Sequence, residues 1–414
     1  MSTPPTTSPP ARTLFGFTLD ELRLVWGASG IYALRMAGVY MATPVLSVYA
    51  AGLPGSSPEW IGLSLGAYGV TQALFQIPFG HIGDRFGRRR SLLIALGVFA
   101  AGSAICWLAT TAPLLVLGRF VQGMGAMAST MIALIGDRTR QEVRTRAMAG
   151  LGVFVGGAFA AGLVVGPWAA SRFGVPSLFA VSTVLSVAGI VLLPLVLRED
   201  RRHADRPASH FFDAALRQGL QTLARPSLLA LYAGIFLLHA SLTSLFVLLP
   251  FRLGELVPTE RQGLVYAPAL LLGLLALWIA SHFADTPRGA RRVLGAGTLL
   301  LAAGLVSLAR AEAVVPMVLS LCLFVAGFAS MEPALASELT HQAEPEIRGI
   351  AAGLFNSVQF VGVFFGGLAA SAALRFESSF LYFTLAGLFL VWLAFSWRAL
   401  ARGTVPTSIV PGSS

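Results

Sequence analysis

The chain has 414 residues, of which 56% are hydrophobic and only 12% are charged. A soluble domain carries about 25% charged residues, and a globule of this length needs a polar surface that this composition does not supply. The composition therefore excludes a disordered chain, a disulfide-stapled secreted scaffold and an ordinary cytosolic enzyme, and it predicts a protein embedded in lipid. The net charge of +10 comes from 29 basic against 19 acidic residues, and in a membrane protein it indicates basic cytoplasmic loops rather than nucleic-acid binding.

Segments poor in charge recur along the chain and predict twelve membrane-spanning helices. A helix needs about 20 apolar residues to cross the hydrocarbon. These runs are too long and too continuous for the short alternating strands of a membrane barrel. The predicted spans are 24–50, 60–82, 91–110, 113–136, 147–170, 175–197, 227–251, 262–283, 293–309, 313–335, 349–374 and 379–397.

Arginine distinguishes the two sides of this predicted bundle. The termini and the even-numbered loops hold 22 arginines, the odd-numbered loops hold 5, and Arg35 and Arg119 lie inside spans. Because basic loops are retained in the cytoplasm, both termini are expected there. No cleavable signal peptide is expected, because residues 1–19 lack an apolar core.

The two halves of the sequence resemble each other at an offset near 203 residues. The sequence Glu-Val-Arg at 142–144 is echoed by Glu-Ile-Arg at 346–348, and the longest connection lies between spans six and seven. Such repetition favours a duplicated six-plus-six transporter. The predicted organisation is a disordered tail at 1–19, an N-terminal six-helix bundle at 20–198, a cytoplasmic linker at 199–226, a C-terminal six-helix bundle at 227–400 and a disordered tail at 401–414.

The loop between predicted spans two and three carries the most specific motif, Gly80-His-Ile-Gly-Asp84-Arg85-Phe-Gly87-Arg88-Arg-Arg. Its glycines permit close helix approach and a turn, and an acid beside arginines at a helix end can pair or cap a neighbouring helix. The motif resembles the G-x-x-x-D-R-x-G-R-R signature of the major facilitator superfamily, and the resemblance covers essentially the whole chain. It implies an all-α membrane protein with twelve transmembrane helices in two pseudo-symmetric six-helix bundles.

Further segments are similar to motifs of the same superfamily. Asp137 and Arg144 match the acid-x6-Arg pattern that follows its fourth span. Arg119 and Gln122 begin a stretch that resembles R-x-x-Q-G-x-G-A of its proton-coupled members. Within the superfamily, the Leu-Arg-Met sequence around Arg35 looks like that of the bacterial YajR-type drug–proton antiporters.

Span five contains a sequence that resembles the antiporter motif G-x-x-x-G-P-x-x-G-G. Gly162, Gly166 and Pro167 match it, whereas the last two glycines of the motif are replaced. With these three residues matched, the resemblance to the antiporter motif implies export in exchange for protons.

The superfamily resemblance also implies a conformational latch. In the family, the loop signature holds the two halves together on the cytoplasmic side when the carrier faces outward. Charge-assisted hydrogen bonds contribute roughly 1.5–3 kcal/mol each, so a few of them bias a two-state equilibrium. The residues that match the latch are Gly80, Asp84, Arg85, Gly87, Arg88, Asp137 and Arg144.

Polar side chains inside the spans define the candidate pathway for substrate and protons. Ionisable groups at that depth are costly and functional by default, whereas Tyr, Gln and Asn serve equally well as hydrogen bonds between helices. Arg35 and Arg119 are expected to contact substrate or to join an internal charge network. The candidate residues are Arg35, Tyr68, Gln72, Arg119, Gln122, His239, Glu332, Asn356 and Gln359.

The coupling proton has two candidate carriers, because span one offers Arg35 and no carboxylate. His239 lies at mid-depth and an imidazole titrates near physiological pH, although it also serves as a packing hydrogen bond. Glu332 lies near the inner end of span ten, where it can carry the proton, pair with Arg35 or Arg119, or face cytoplasmic water. The sequence leaves the choice open.

Two hypotheses for function follow from these residues. The first is a monomeric, proton-coupled exporter of small hydrophobic, drug-like compounds in a bacterial inner membrane, which uses the proton gradient and no cofactor. The second, suggested by the two deep arginines, is an uptake symporter or exchanger for a small anionic metabolite. A non-transporting receptor or an enzyme is the remote alternative, because the sequence has no catalytic motif, phosphate-binding loop or metal-ligand spacing. The expected partners are a small-molecule substrate, protons and membrane lipid, without nucleic acid.

Overall fold

The computed structural model describes residues 13–14, 16–197, 221–284, 286–344 and 347–402. Most of the predicted linker and most of both predicted tails lie outside these residues. Long helices, numbered here as spans one to twelve, make up nearly all of the described chain. The first six are span one Leu19–Ala42 with the short helix Leu46–Ala51, span two Pro58–Phe86, span three Arg88–Trp107, span four Ala112–Met124 with Ala128–Arg138, span five Gln141–Phe173 and span six Val175–Val196. The second six are span seven Pro226–Leu256, span eight Gln262–Phe283, span nine Pro287–Arg310, span ten Val314–Gln342, span eleven Arg348–Ala373 and span twelve Ser378–Arg402.

Ten of these spans are long and apolar enough to cross a membrane by length and composition, and spans one and two are the exceptions. Span one carries Arg35, and span two carries Tyr68, Gln72 and Gln76. All four side chains are buried within the protein. These polar side chains therefore do not face lipid, and both helices fit a transmembrane bundle.

Two predicted spans are interrupted in the structure. Span one, expected to be continuous over 24–50, ends at Ala42 and turns at residues 43–45, because Pro44 cannot continue the helical hydrogen bonding. Span four, expected to be continuous over 113–136, breaks between Met124 and Ala128, where Gly125 packs closely against span three. The break leaves the carbonyl of Gly125 free to bond elsewhere.

The segment before span one differs from the disordered tail expected over residues 1–19. Thr13–Leu14 and Phe17–Thr18 form a two-stranded antiparallel pair, and Phe17 is buried in the core of the N-terminal half. The Thr18 hydroxyl accepts a hydrogen bond from the backbone N–H of Glu21 (3.2 Å), and the Glu21 carboxylate accepts one from the N–H of Thr18 (2.8 Å). This reciprocal capping box fixes the start of span one.

The same helix pairings occur in both halves, as a duplicated fold requires. In the first half, span one packs on five and six, span four packs on two and three, and span three packs on six. In the second half, span seven packs on eleven and twelve, span ten packs on eight and nine, and span nine packs on twelve. The structure therefore has the two pseudo-symmetric six-helix bundles that the sequence predicted.

A seam of glycines joins the two bundles along spans two and eleven. A Cβ atom at Gly62 would overlap the carbonyl of Gly367, and one at Gly69 would lie 2.7 Å from the carbonyl of Phe360. Small residues let two backbones approach this closely without side chains between them. The glycine seam, defined as residues 62–69 of span two and 360–367 of span eleven, is therefore a direct backbone contact between the halves.

The seam lies nearer one end of the molecule than the other. Nearly every side chain of span two is buried from Ile61 to Ala73, whereas Leu74 and Ile77 are 62% and 50% exposed. On span eleven, the Cβ positions of Gly349 and Gly353 meet open space. The arginine-rich face, which contains the loops after the even-numbered spans, is therefore open, and the opposite face is closed.

We expect Gly62→Leu to prevent closure of the seam and to shift the protein toward the state that is closed at the arginine-rich face. Spin labels at Phe86 and Gly349, in a variant whose two cysteines are replaced, report the separation of spans two and eleven at that face. The distance should shorten in Gly62→Leu and stay unchanged in Gly97→Leu, whose Cβ position meets nothing within 4 Å. An unchanged distance in Gly62→Leu would show that the seam does not set this equilibrium.

Each half has an ion pair at one corner of the arginine-rich face. Glu21 at the start of span one accepts hydrogen bonds from the backbone N–H (2.9 Å) and the Nε (3.0 Å) of Arg140, which precedes span five. Arg225 before span seven lies 2.9 Å from Glu344 after span ten. Each residue of the second pair lies 204 positions after its equivalent in the first, with the charges exchanged. The corner contact is therefore repeated, although its polarity is reversed.

We expect Glu21→Gln to lower the melting temperature of the purified protein by several degrees and Glu344→Gln to lower it much less. Glu21 is buried and accepts several hydrogen bonds, whereas the Arg225–Glu344 pair is exposed and screened by water. Arg225 holds the pKa of Glu344 below its ordinary value, so the small contribution of that pair is present at neutral pH and is lost as the pH falls below 4.5. Equal shifts for the two variants at pH 7 would contradict this ranking.

Candidate transport pathway

Arg35 lies fully buried in the N-terminal half and joins three helices. Its Nη2 donates hydrogen bonds to the carbonyl of Gly125 (2.9 Å), the hydroxyl of Tyr68 (3.3 Å) and the Oε1 of Gln72 (3.4 Å). Its guanidinium also lies over the ring of Phe99, 4.5 Å from the centroid. Arg35 thus satisfies the carbonyl that the break in span four leaves free.

Arg119 is the second buried arginine of this half, at 3% exposure. Its Nε donates to the carbonyl of Ser64 (2.9 Å), a second nitrogen donates to Gln122, and the guanidinium lies 4.9 Å from the ring centroid of Tyr68. The amide of Gln122 donates in turn to the hydroxyl of Ser103 (2.8 Å). Arg119 and Gln122 therefore tie span four to spans two and three.

The structure brings the five predicted polar residues of the first half into one network. The network comprises Arg35, Tyr68, Gln72, Arg119 and Gln122. Within the described part of the chain, the two guanidinium groups have neutral partners, namely carbonyls, amides, the Tyr68 hydroxyl, a thioether and aromatic faces. The expected contact with substrate or place in a charge network stays a prediction for both arginines.

Three candidate residues of the second half meet in one cluster. His239 of span seven lies with its Nε2 2.8 Å from the side-chain nitrogen of Gln359 on span eleven and 3.7 Å from a carboxylate oxygen of Glu332 on span ten. Its Nδ1 lies 3.3 Å from the carbonyl of Ile235, and its ring contacts that of Phe328 at 5.5 Å. We call His239, Glu332 and Gln359 the proton cluster, after the role that the sequence analysis expects of His239 or Glu332.

The two titratable members of the proton cluster differ in exposure. The side chain of Glu332 is 44% exposed, whereas that of His239 is 8% exposed. Glu332 pairs with His239 rather than with Arg35 or Arg119, so the pairing with a buried arginine that the sequence left open is not formed. Asn356 lies nearly one turn before Gln359 and is half-buried.

Three of the predicted latch residues, Asp84, Arg88 and Asp137, meet at the open, arginine-rich face. Arg88 at the start of span three lies 2.7 Å from Asp84 and 3.2 Å from Asp137. These two ion pairs join the ends of spans two and four. Gly87 adopts a φ of 95°, the left-handed conformation that permits the sharp turn between spans two and three. Arg85 lies over the ring of Phe86. Gly80 packs near Ser129 and Arg144 is exposed, so neither belongs to the ion-pair cluster.

The span-five motif acts in packing. A Cβ at Gly162 would lie 2.7 Å from the Cβ of Tyr40, and one at Gly166 would overlap the backbone of Met41, so span five lies directly against span one. Pro167 is buried in the same helix.

A matching pair exists in span eleven, where Gly362 and Gly366 lie against the backbones of Phe236 and Ala240 of span seven. The sequence analysis missed this pair. Its signal was the same G-x-x-x-G spacing 200 residues after Gly162 and Gly166, close to the repeat offset near 203.

Comparisons with known proteins agree with this architecture. The profile of the Major Facilitator Superfamily matches residues 28–288. The inner membrane transport protein YajR of Escherichia coli (strain K12) is 35% identical over 355 residues, which is 85% of this chain and 78% of that protein. The chain belongs to the major facilitator superfamily.

More distant relatives of this superfamily member are also transporters. The tetracycline resistance protein, class E, of Escherichia coli is 25% identical over 82% of this chain and 86% of its own length. The xylose transporter XylE of E. coli, in a partially occluded inward-open conformation, superimposes with a TM-score of 0.72 at 16% identity over 91% of this chain and 97% of that one, which shows the fold alone. The protein is thus a multi-pass membrane transporter of the YajR type and not an enzyme.

An ion pair between the halves also lies at the closed face of this transporter. Arg375, which follows span eleven, contacts Glu59 at the start of span two. On the same side, Ser47 donates to the carbonyl of Phe246 (3.4 Å), and Gly263 of span eight packs on the carbonyl of Val164 of span five. Sequence reasoning missed Glu59 and Arg375, because each lies just outside a predicted span and belongs to no recognised motif.

We expect Arg35→Ala to lower the melting temperature of the purified protein strongly, because the buried carbonyl of Gly125 then has no donor. Arg35→Lys should recover only part of the loss, because an ammonium group cannot reach the same planar set of acceptors. Arg310→Ala is the matched control, since that arginine is exposed and lies over the ring of Phe383. Equal melting temperatures for wild type and Arg35→Ala would contradict the structural role of Arg35.

Proposed function

We propose that this transporter is a proton-coupled efflux antiporter of small hydrophobic, drug-like compounds, located in a bacterial inner membrane and working by alternating access. The observation that carries the proposal is the proton cluster, where a half-exposed carboxylate lies beside a buried imidazole in the middle of the second bundle. Two titratable groups at that depth, one of them accessible to solvent, fit a site that takes up and releases a proton. The energy source is then the proton gradient, with no cofactor.

The placement of charge supports export of neutral or cationic compounds over uptake of an anion. Arg35 and Arg119 are buried and their recorded hydrogen bonds go to neutral acceptors of the protein itself, whereas Glu332 is accessible. An anionic metabolite would need an accessible cation at this depth, and burial removes both arginines from that role. Aromatic side chains near the interface of the halves, Tyr40, Phe159 and Phe246, pack edge to face and suit hydrophobic compounds.

The orientation follows from the arginine distribution. Basic loops are retained in the cytoplasm, so the termini and the open face are assigned to that side. The structure then corresponds to an inward-facing state that receives its substrate from the cytoplasm or the inner leaflet. The Asp84–Arg88–Asp137 cluster is assigned to the latch that engages the other half when this face closes, and the Glu59–Arg375 pair to the contact that opens at the same time. The working unit is assigned as a monomer.

The proposal is tested in inverted membrane vesicles that hold a proton gradient reported by a pH-sensitive dye. We expect tetraphenylphosphonium or ethidium to release protons from vesicles with the wild-type protein, and Glu332→Gln to reduce this release to that of empty vesicles. Glu312→Gln, the same change at an exposed loop, should behave as wild type. No proton release with any of a broad panel of lipophilic compounds would overturn the proposal.

The charge preference is tested with two ions of matched size and shape. We expect purified protein to be stabilised against heat by tetraphenylphosphonium and not by tetraphenylborate, because Glu332 attracts the cation. Glu332→Gln should abolish the difference. Stabilisation by tetraphenylborate that is lost in Arg35→Ala or Arg119→Ala would support the anion transporter instead.

A further inference from the structure

Gln359 connects the proton cluster to span eleven by a hydrogen bond whose direction depends on the protonation of His239. In the arrangement shown, the side-chain nitrogen of Gln359 donates and the Nε2 of His239, 2.8 Å away, accepts. This arrangement fits a neutral imidazole with its proton on Nδ1, which faces the carbonyl of Ile235 at 3.3 Å.

A proton on Nε2 is incompatible with this arrangement. The nitrogen would change from acceptor to donor, so the N–H groups of Gln359 would have to turn away or the amide would have to present its oxygen. The carboxylate of Glu332, 3.7 Å from Nε2, would then become the favourable partner. The hydrogen bond of Gln359 therefore forms in one protonation state and is lost or reversed in the other.

The surroundings of His239 leave Glu332 as its charged partner. Span seven packs on spans two, ten, eleven and twelve and on the short helix Leu46–Ala51. Among the residues that the structure describes on these elements, Glu332 alone makes an ion-pair contact with the imidazole. Tyr40 of span one lies within electrostatic range of Glu332, so the carboxylate also faces the first half.

Gln359 also lies at the end of the glycine seam. Its neighbour Phe360 places its carbonyl against Gly69, the last of the glycine contacts between spans two and eleven. Beyond this point, toward the arginine-rich face, Leu74 of span two is exposed and Gly353 of span eleven has no neighbour at its Cβ position. The seam therefore ends where Gln359 begins, at the pivot about which the two helices would separate or close.

We propose that Gln359 is a positioning residue that transmits the protonation of His239 to span eleven at this pivot. With Nε2 unprotonated, the hydrogen bond holds span eleven to span seven and the arginine-rich face is open, as observed. With Nε2 protonated, the bond is broken or reversed, and span eleven is released to move relative to span two. This inference rests on the proposed proton coupling and names the residue that connects it to the conformational change.

The test follows the pH dependence of conformation rather than of activity. A single cysteine replaces Leu74 in a variant without Cys106 and Cys322. Its rate of reaction with a membrane-impermeant maleimide is measured from pH 6 to pH 8.5. The membrane preparation exposes the arginine-rich face of the protein to the reagent. The thiolate fraction of a cysteine also changes with pH, so each rate is divided by the rate of the same reaction with a cysteine in an unfolded peptide. We expect the corrected rate to change by about fivefold across this range, as a coupling of about 1 kcal/mol requires. Gln359→Leu should make the corrected rate independent of pH, and Gln221→Leu, at an exposed position, should leave the dependence intact.

A second variant keeps the test decisive if Gln359→Leu fails to fold. Gln359→Glu has the same shape but offers a carboxylate, which can only accept from Nε2 and so favours the protonated imidazole. Its labelling rate should stay at the value that the wild type shows at pH 6. A pH dependence in both Gln359 variants equal to that of the wild type would overturn the role of Gln359 alone, while a wild type without pH dependence would overturn the proton coupling itself.

Discussion

The backbone contact between Gly62 and Gly367 is the constraint on which the rest of this structure depends. Helices in lipid gain little from burying apolar side chains against one another, so two bundles associate where their backbones pack closely. The seam holds the halves together over residues 62–69 and 360–367 and leaves the helices apart beyond it. It therefore defines the closed face, the open face and the pivot between them.

The two halves use their buried polar groups in different ways. In the first half, Arg35 and Arg119 bond to carbonyls of Gly125 and Ser64, so their charges hold interrupted or closely packed helices in place. In the second half, His239 and Glu332 lie 3.7 Å apart and neither is tied to a fixed opposite charge of the scaffold. The buried arginines of the first bundle thus bind its helices together, whereas the second bundle brings a histidine and a carboxylate to its middle.

The spans, their number and the motif loop could be predicted from sequence, because apolar length and glycine spacing are local properties. The contact between Arg119 and Gln122 could also be predicted, since the two residues lie three positions apart on one helix. The acceptors of Arg35 could not be found this way, because Gly125 offers a backbone carbonyl that exists only where span four breaks. His239, Glu332 and Gln359 come from three helices, so their meeting depends on tertiary packing, although each was a candidate by itself.

The repeat shows which features the architecture needs. Gly162 and Gly166 recur as Gly362 and Gly366 in the same packing role, so close contact between the first and fifth helix of each half is a requirement of the fold. The corner pairs Glu21–Arg140 and Arg225–Glu344 keep the contact but exchange the charges, so the repeat preserves the ion pair and not its direction. Among the residues that the structure describes, Arg35 and its neutral partners occupy the middle of the first bundle, where the second bundle has the proton cluster. Packing that is common to both halves is therefore scaffold, and the buried polar chemistry is where the two halves differ.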